Sequence, residues 1–330
     1  MKNKFLIIGI LCIILLLTAC GSKSSEAEDN EDYTLRIGVT QNDQNAEFIG
    51  VESFKEGVEE RTNGEVSVEL YHSDQLSSVP DLIEQAAMGN GVGTISDAAM
   101  LGDIKKEFYI LQSPYMFDDY SQVDDLTESE LYQGWVEDFT DEGIRILSFN
   151  FYLGERNLAT TDEITSAADV KGSVIRTSGA QIVDETVSEM GGAPSGMPWS
   201  EAYPGLEQGV INGVEAHNLA IYESSMYEVI DYIAKTNHYQ LVSALVVSED
   251  WFNDLPEEYQ EIVLEEADKG GKVASELALE ESEEYEEQMK EYGVTFHEVN
   301  REEFKELTEP VYDNLDMIEI REEVLEVLDQ

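Results

Sequence analysis

The chain has 330 residues, of which 42% are hydrophobic, and 71 acidic residues against 19 basic ones give a formal net charge of −52. That length holds one large domain or two of ordinary size, and the apolar share suffices for packed cores, so a wholly disordered acidic chain is excluded, as are collagen-like, coiled-coil and disulfide-scaffold chains. A surface this negative repels phosphates, so nucleic acid is not an expected partner.

The elements follow in chain order. Lys2 and Lys4 precede an apolar run from Phe5 to Leu17. A run of about a dozen residues has the length of a secretory signal core and falls short of the roughly 20 that span a bilayer. It ends in Leu17-Thr18-Ala19-Cys20-Gly21, which resembles a bacterial lipobox. Residues 1–19 then read as a signal peptide and Cys20 as the acylated N-terminus of the mature protein. An uncleaved anchor or a simple secretory peptide with a chance cysteine is the alternative. Because Cys12 lies in the removed segment, the mature domain has no free thiol, which excludes disulfides, Cys-ligated zinc and Cys nucleophiles. Residues 20–32, rich in Ser, Glu and Asp, read as a flexible tether. The folded part is expected at the extracytoplasmic face of the bacterial cell membrane, bound to lipid through Cys20. Removal of residues 1–19 leaves 17 basic and 71 acidic residues, or −54, a balance suited to high salt and a haloalkaliphilic source.

Leu35, Ile37 and Val39 alternate as in a half-buried strand. Phe48, Val51, Phe54 and Val58 recur at helical spacing up to Thr62-Asn63-Gly64, and Val66, Val68 and Leu70 form a second strand. A helix is expected over Val79 to Met88, closed by Gly89, and a short strand over Thr94 to Ala98. Alternating strands and helices predict an α/β opening with parallel pairing. Further strands are predicted at Ile144 to Phe151, Val174 to Arg176, Val210 to Glu215 and Tyr239 to Ser248, with helices at Gln181 to Met190, Ser200 to Gln208 and Ser224 to Tyr232. Pro256 to Tyr292 reads as one long acidic helix with a weak point at Gly270-Gly271, long enough to cross between two domains. Glu302 to Leu328 is helical again.

Motifs for phosphate cradles, GxSxG elbows and HExxH zinc sites are absent, and His72, His217, His238 and His297 lack ligand spacing. With 71 acids, carboxylate pairs arise by chance, so no catalytic, metal or cofactor site is expected. Arginine is scarce, which makes Arg176, at the end of Val174-Ile175-Arg176, conspicuous. Strand ends are where α/β folds hold ligands, and a guanidinium matches a carboxylate with two parallel donors. Arg156 lies twenty residues earlier. Taken alone, either arginine reads more readily as a structural ion-pair partner.

Four spaced stretches change that balance: Gly154-Glu155-Arg156-Asn157-Leu158-Ala159-Thr160-Thr161, Ala168-Asp169-Val170-Lys171-Gly172-Ser173-Val174-Ile175-Arg176, Gly196-Met197-Pro198-Trp199-Ser200-Glu201-Ala202-Tyr203 and Leu206-Glu207-Gln208-Gly209-Val210-Ile211-Asn212-Gly213-Val214-Glu215. In this order they resemble motifs of the DctP-type solute-binding proteins of TRAP (tripartite ATP-independent periplasmic) transporters. The first stretch carries one extra residue before its threonines. The resemblance implies a two-lobed, periplasmic-binding-protein-like α/β fold with a hinge and a long domain-crossing helix. One lobe would take 33–153 plus about 242–281, the other 154–241 plus about 282–330. It implies capture of a small organic acid anion, a dicarboxylate or sugar acid, and delivery to integral-membrane TRAP transporter subunits, without catalysis. A binding lipoprotein serving an ATP-driven transporter or a sensor, an extracytoplasmic hydrolase and a structural surface lipoprotein are the rival readings.

By position, Arg176 resembles the principal carboxylate-binding residue and Arg156 a supporting one. Trp199, Asp97, Asn45 and Tyr152 resemble further ligand contacts. Ala216 stands where the family often has a ligand-touching Asn; His217 or Asn218 would substitute, although His217 reads equally as a buried structural histidine. Glu215 is expected to support the hinge and His238 to be structural.

Overall fold

The computed structural model describes residues 33–329; the signal peptide, Cys20 and the tether lie outside the described residues. Eleven strands are described: β1 (Tyr33–Gly38), β2 (Val66–Tyr71), β3 (Val92–Asp97), β4 (Ile144–Glu155), β5 (Asn157–Thr160), β6 (Val174–Thr177), β7 (Ala193–Gly196), β8 (Gly213–Ala216), β9 (Tyr232–Lys235), β10 (Gln240–Ser248) and β11 (Thr295–Glu298). They form two sheets, ordered β2-β1-β3-β10-β4 and β11-β9-β5-β8-β6-β7. In the first, β1 runs parallel to β2 and β3, while β10 is antiparallel to β3 and β4. In the second, β6 runs parallel to β7 and β8, and β5 is antiparallel to β8 and β9.

Each sheet is the floor of one lobe. The alternating residues Leu35, Ile37, Val66 and Val68 are buried on the first sheet, under Val51, Phe54 and Val58 of the helix Ala46–Arg61. Ala159, Ile175 and Val214 are buried in the second. The chain passes between lobes at two strand junctions that lie side by side. Arg156 separates β4 from β5, and 236–239 separates β9 from β10. There Arg156 N–H donates to Tyr239 O at 3.0 Å and His238 N–H to Arg156 O at 3.1 Å.

The third crossing is the helix Glu257–Tyr292. Its 36 residues span about 54 Å at 1.5 Å per residue. Val263, Ala267 and Ala274 pack into the first lobe's core and Met289 into the second's. Gly270-Gly271 does not interrupt it. Gly270 lies where the helix Ala46–Arg61 packs closely: a Cβ there would stand 2.6 Å from Gly50 O and 3.2 Å from Phe54 Cβ. Alanine is the better helix former by about 1 kcal/mol, yet we expect Gly270→Ala to destabilise the protein by about 1–3 kcal/mol through overpacking. Urea denaturation reads the sign; an unchanged or raised midpoint would show that the helices yield.

Three expected elements differ. The strand at Val210 to Glu215 is confined to β8, because Val210 lies in an exposed turn. The helix at Ser224 to Tyr232 is instead Asn218–Glu223, followed by one 3-10 turn at Met226–Glu228, since Ser225 takes a left-handed conformation. The C-terminal segment is broken into three helices that bridge the lobes: Phe304 is buried with Leu158 and Ile175 of the second, Val311–Asn314 meets the helix Gln181–Glu189 while Tyr312 Oη donates to Pro114 O of the first at 2.8 Å, and Ile318–Leu328 lies against Tyr120–Thr127 of the first.

Candidate functional site

The ends of β3 and β6, the start of the helix Ala46–Arg61 and the hinge converge on a cavity of about 120 Å³ between the lobes. It is continuous through Thr40, Arg176 and Trp199 with a cleft of about 390 Å³. Arg176 is carried by β6, a strand flanked by two parallel neighbours, and its Nε and Nη2 both donate to Met197 O, at 3.0 and 2.8 Å. The guanidinium carbon sits 5.1 Å from the Trp199 ring centre, and Trp199 is held by its Nε1–H to Ser224 Oγ at 2.9 Å. Arg176 is 7% exposed and, among the described residues, forms no ion pair. Burial pushes its pKa down to about 10, with Arg156 acting in the same direction and Glu215 opposing. Burying a guanidinium without a counter-ion is costly, and an anion beside it would offset that cost.

Arg156 has its counter-ion. Its Nε donates to Glu215 Oε2 and its Nη2 to Glu215 O, both at 2.8 Å, and Nη2 also bonds Glu215 Oε1. Tyr239 Oη donates to Glu215 Oε2 at 2.8 Å. Burial opposes the Glu215 charge, but Arg156 and His238 outweigh it and hold the pKa down at about 2. Burial likewise opposes the Arg156 charge, and Glu215 more than offsets this, raising its pKa. Burial and the Arg156 charge press His217 down to about 3, so it is neutral. Arg156 Nη1 lies 3.3 Å from its Nδ1; because the guanidinium can only donate, Nδ1 accepts and Nε2 carries the proton. That Nε2 is buried without a protein partner.

The first lobe contributes carboxyl groups. Asp97 ends β3 and accepts Met100 N–H at 2.9 Å, capping the helix Ala98–Gly102. Glu47 lies in the first turn of the helix Ala46–Arg61 and is 7% exposed. Burial lifts its pKa to about 7, against a hydrogen bond with Ser243.

Of the residues singled out by sequence, Arg176, Arg156, Trp199, Asp97 and His217 line this cavity, and Asn45, Tyr152 and Asn218 do not. Asn45 caps the helix Ala46–Arg61 by accepting Glu47 N–H at 2.9 Å and donates across the lobes to Glu223 Oε2 at 2.6 Å. Tyr152 donates to Gln240 Oε1 at 2.8 Å and stacks on Tyr120. Asn218 starts the helix Asn218–Glu223 outside the cavity lining. The reading missed Glu47 and Ser243. Ser243 carried a signal, as a hydroxyl inside the apolar run Leu241-Val242-Ser243-Ala244-Leu245. Glu47 carried none beyond its place after a capping Asn. A larger hollow, about 510 Å³, adjoins Tyr132, Asp268 and Lys272, but Lys272 bonds Asp268 at 2.6 Å, which leaves no unpaired cation for an acid.

Glu47 bears on stability. Its pKa is raised in the folded state, so its contribution is greatest below the ordinary carboxylate pKa and is lost as pH rises through about 7. Glu47→Gln should therefore melt higher than the parent near pH 8 and lose that advantage near pH 5, both pH values approximate brackets of the titration. Parallel melts check this; an advantage independent of pH would contradict it.

Two α/β lobes, joined by paired strand crossings and one long helix around a buried cation, define a two-lobed solute-binding protein. Residues 37–317 match the DctP family model, described as bacterial extracellular solute-binding protein, family 7, and the chain belongs to this family of TRAP solute-binding proteins. A solute-binding protein of Chromohalobacter salexigens is 29% identical over 266 residues, 80% of this chain and 79% of its own. The apo open crystal structure of a TRAP periplasmic solute-binding protein from Escherichia fergusonii is 34% identical with a TM-score of 0.80, covering 89% of this chain and 99% of its own. A TRAP periplasmic solute-binding protein from Ochrobacterium anthropi with bound L-fuconate is 31% identical with a TM-score of 0.85, at the same coverages of 89% and 99%.

Proposed function

We propose that this chain captures a small organic acid anion between its lobes and delivers it, chemically unchanged, to the integral-membrane subunits of a TRAP-type secondary transporter. It works at the extracytoplasmic face of the cell membrane, held by a lipid on Cys20. The observation that carries the reading is Arg176, a buried guanidinium that faces the cavity with no carboxylate partner among the described residues. A ligand carboxylate supplies the missing charge. Closure removes water and strengthens the charge-assisted bonds, and contacts made to both lobes bias the open–closed equilibrium toward the closed form. Salt screens the acidic surface within a few Å, so the cavity field governs the final approach.

A thermal-shift and calorimetric screen of residues 33–330 against dicarboxylates, uronates, aldonates and keto acids at high salt tests this. A ligand at a hundredfold excess over Kd stabilises the fold by about 2.7 kcal/mol. Absence of any shift from a folded, ligand-free sample would overturn the reading, and recovery of an altered ligand would indicate catalysis. Metabolic labelling with palmitate, lost in Cys20→Ser, tests the anchor; label that persists in the variant would refute it.

A further inference from the structure

We infer that closing the lobes takes up a proton at the contact between Asn45 and Glu223, so that ligand capture tightens as pH falls and loosens as pH rises. This rests on the carrier reading above and adds a regulation to it.

Asn45 caps a helix of the first lobe, and Glu223 ends the helix Asn218–Glu223 of the second. The Asn45 amide is fixed in orientation, because its oxygen accepts Glu47 N–H at 2.9 Å and only its NH2 is left to reach the opposite lobe. That NH2 donates to Glu223 Oε2 at 2.6 Å. The other oxygen, Glu223 Oε1, is buried without a partner among the described residues, as is Glu281 Oε2 on the long helix. One amide is poor compensation for a carboxylate withdrawn from water. Parting of the lobes breaks the Asn45 bond and lets water reach both oxygens.

The groups that face Glu223 are acidic or neutral. They are Glu47 on the helix Ala46–Arg61, Glu281 and Tyr285 on the helix Glu257–Tyr292, and Asp74, which shares with Glu223 and Trp199 a rim hollow of about 230 Å³. Glu280 and Glu284 act on Glu281 in turn, and Tyr222 precedes Glu223 on its own helix. Among the described residues neither Glu223, Glu281 nor Glu47 forms an ion pair. The nearest cation in effect, Arg156, acts on Glu47 but is already engaged by Glu215. Burial is the largest effect on Glu223 and, together with Glu281, lifts its pKa from an ordinary 4.5 to about 7 against the Asn45 hydrogen bond. The charge is felt across the lobes as well, since Glu223 raises the pKa of Glu47.

The sign of the linkage follows. Opening hydrates Glu223 and separates it from Glu47, which returns its pKa toward the ordinary value. A group that holds its proton more tightly in the closed form favours closure while protonated. That advantage is complete below about pH 4.5, falls across the interval between the two values and is lost above about pH 7.

The test is calorimetry on residues 33–330 from about pH 5.5 to 8 at one salt concentration, in buffers of different ionisation enthalpy. The probes are D-glucuronate, D-gluconate, pyruvate and succinate. The tightest-binding of these should bring about 0.5–1 proton into the parent protein near pH 6, and its Kd should rise about tenfold across the range. Glu223→Gln keeps an oxygen for Asn45 and is neutral at every pH. It should hold the rise to within about threefold and bind more tightly than the parent near pH 8. Glu281→Gln removes the adjacent like charge and should move the rise to lower pH. Glu52→Gln, at an exposed position on the helix Ala46–Arg61, should leave the profile in place. Titration of the probe itself is common to every variant, so differences between variants report the protein. A parent Kd independent of pH, or the same rise in Glu223→Gln, would overturn this inference while leaving the carrier reading in place. If none of the probes binds in an Arg176-dependent way, the carrier reading fails and this inference with it.

Discussion

Replacement of Arg176 by alanine is expected to weaken binding of the organic acid by about 2–5 kcal/mol, roughly a 30- to several-thousand-fold rise in Kd. The loss is large because nothing else in the cavity can take over the charge. Arg156 is locked to Glu215, and His217 is held neutral. A carboxylate left beside Trp199 would face Glu47 and Asp97 with no counter-ion. The same substitution should not destabilise the ligand-free protein. Burial pushes the Arg176 pKa down to about 10, so the guanidinium stays charged at neutral pH but carries a desolvation cost, and its removal gives up two hydrogen bonds to Met197 O while relieving that cost. Arg176→Lys keeps a charge without the two-pronged fork and should recover only part of the affinity. Calorimetry beside thermal melts separates the effects. Binding retained within about threefold in Arg176→Ala would remove this residue from the site.

The second large effect belongs to the hinge. Glu215→Ala is expected to destabilise the fold by about 3–5 kcal/mol, because it strands the buried Arg156 charge and the Tyr239 hydroxyl. The pH dependence follows from the direction of the shift. Glu215 is held down at about 2 in the folded protein against an ordinary 4.5. Its stabilisation is therefore fully present above about pH 4.5 and disappears as pH falls through about 2. Glu215→Ala should accordingly show its full deficit in denaturant at neutral pH and converge with the parent in acid. A deficit under about 1 kcal/mol at neutral pH, the scale of a solvent-exposed pair, would mean that the hinge does not depend on this ion pair. Because Arg156 borders both the hinge and the cavity, the same variant should also alter ligand affinity, in contrast to Gly270→Ala, which acts on the helix contact away from the ligand.

Much of this was legible along the chain. The alternation of Leu35, Ile37 and Val39 and the helical spacing from Phe48 to Val58 reflect burial on one face of one element, a property that local sequence records directly. The four motifs around Arg156, Arg176, Trp199 and Glu215 brought the hinge and the second lobe's side of the cavity into view together. The short strands β5, β7, β9 and β11 were not legible: four residues establish no period, and the equally short β6 and β8 were seen only through the apolar pairs Val174-Ile175 and Val210-Ile211 in or just before them. Gly270-Gly271 reads along the chain as a weak point in the long helix, because the physical cause of a glycine in a helix can be a neighbouring helix far away in sequence, here the backbone of Gly50.

The first lobe's side of the cavity was the least visible. Glu47 is one of 71 acids, and what distinguishes it is burial beside Ser243, nearly two hundred residues later. Asn45 and Tyr152 stood near the right place in the chain, but their polar atoms are engaged with Glu223 and Gln240. His217 and Asn218 are adjacent in sequence, yet only His217 reaches the cavity lining, because the helix that begins at Asn218 turns the following side chain away from it.

The sequence by itself determined the α/β class, the paired arginines and the family, since periodicity and motif spacing are written in neighbouring residues. Only the tertiary structure decided which arginine is free. Motif position sets Arg176 ahead of Arg156, but it is the fold that gives Arg156 the Glu215 carboxylate and gives Arg176 a backbone carbonyl and an aromatic face. The charge left without a partner among the described residues is a matter of three-dimensional neighbours, and the proposed site rests on that charge.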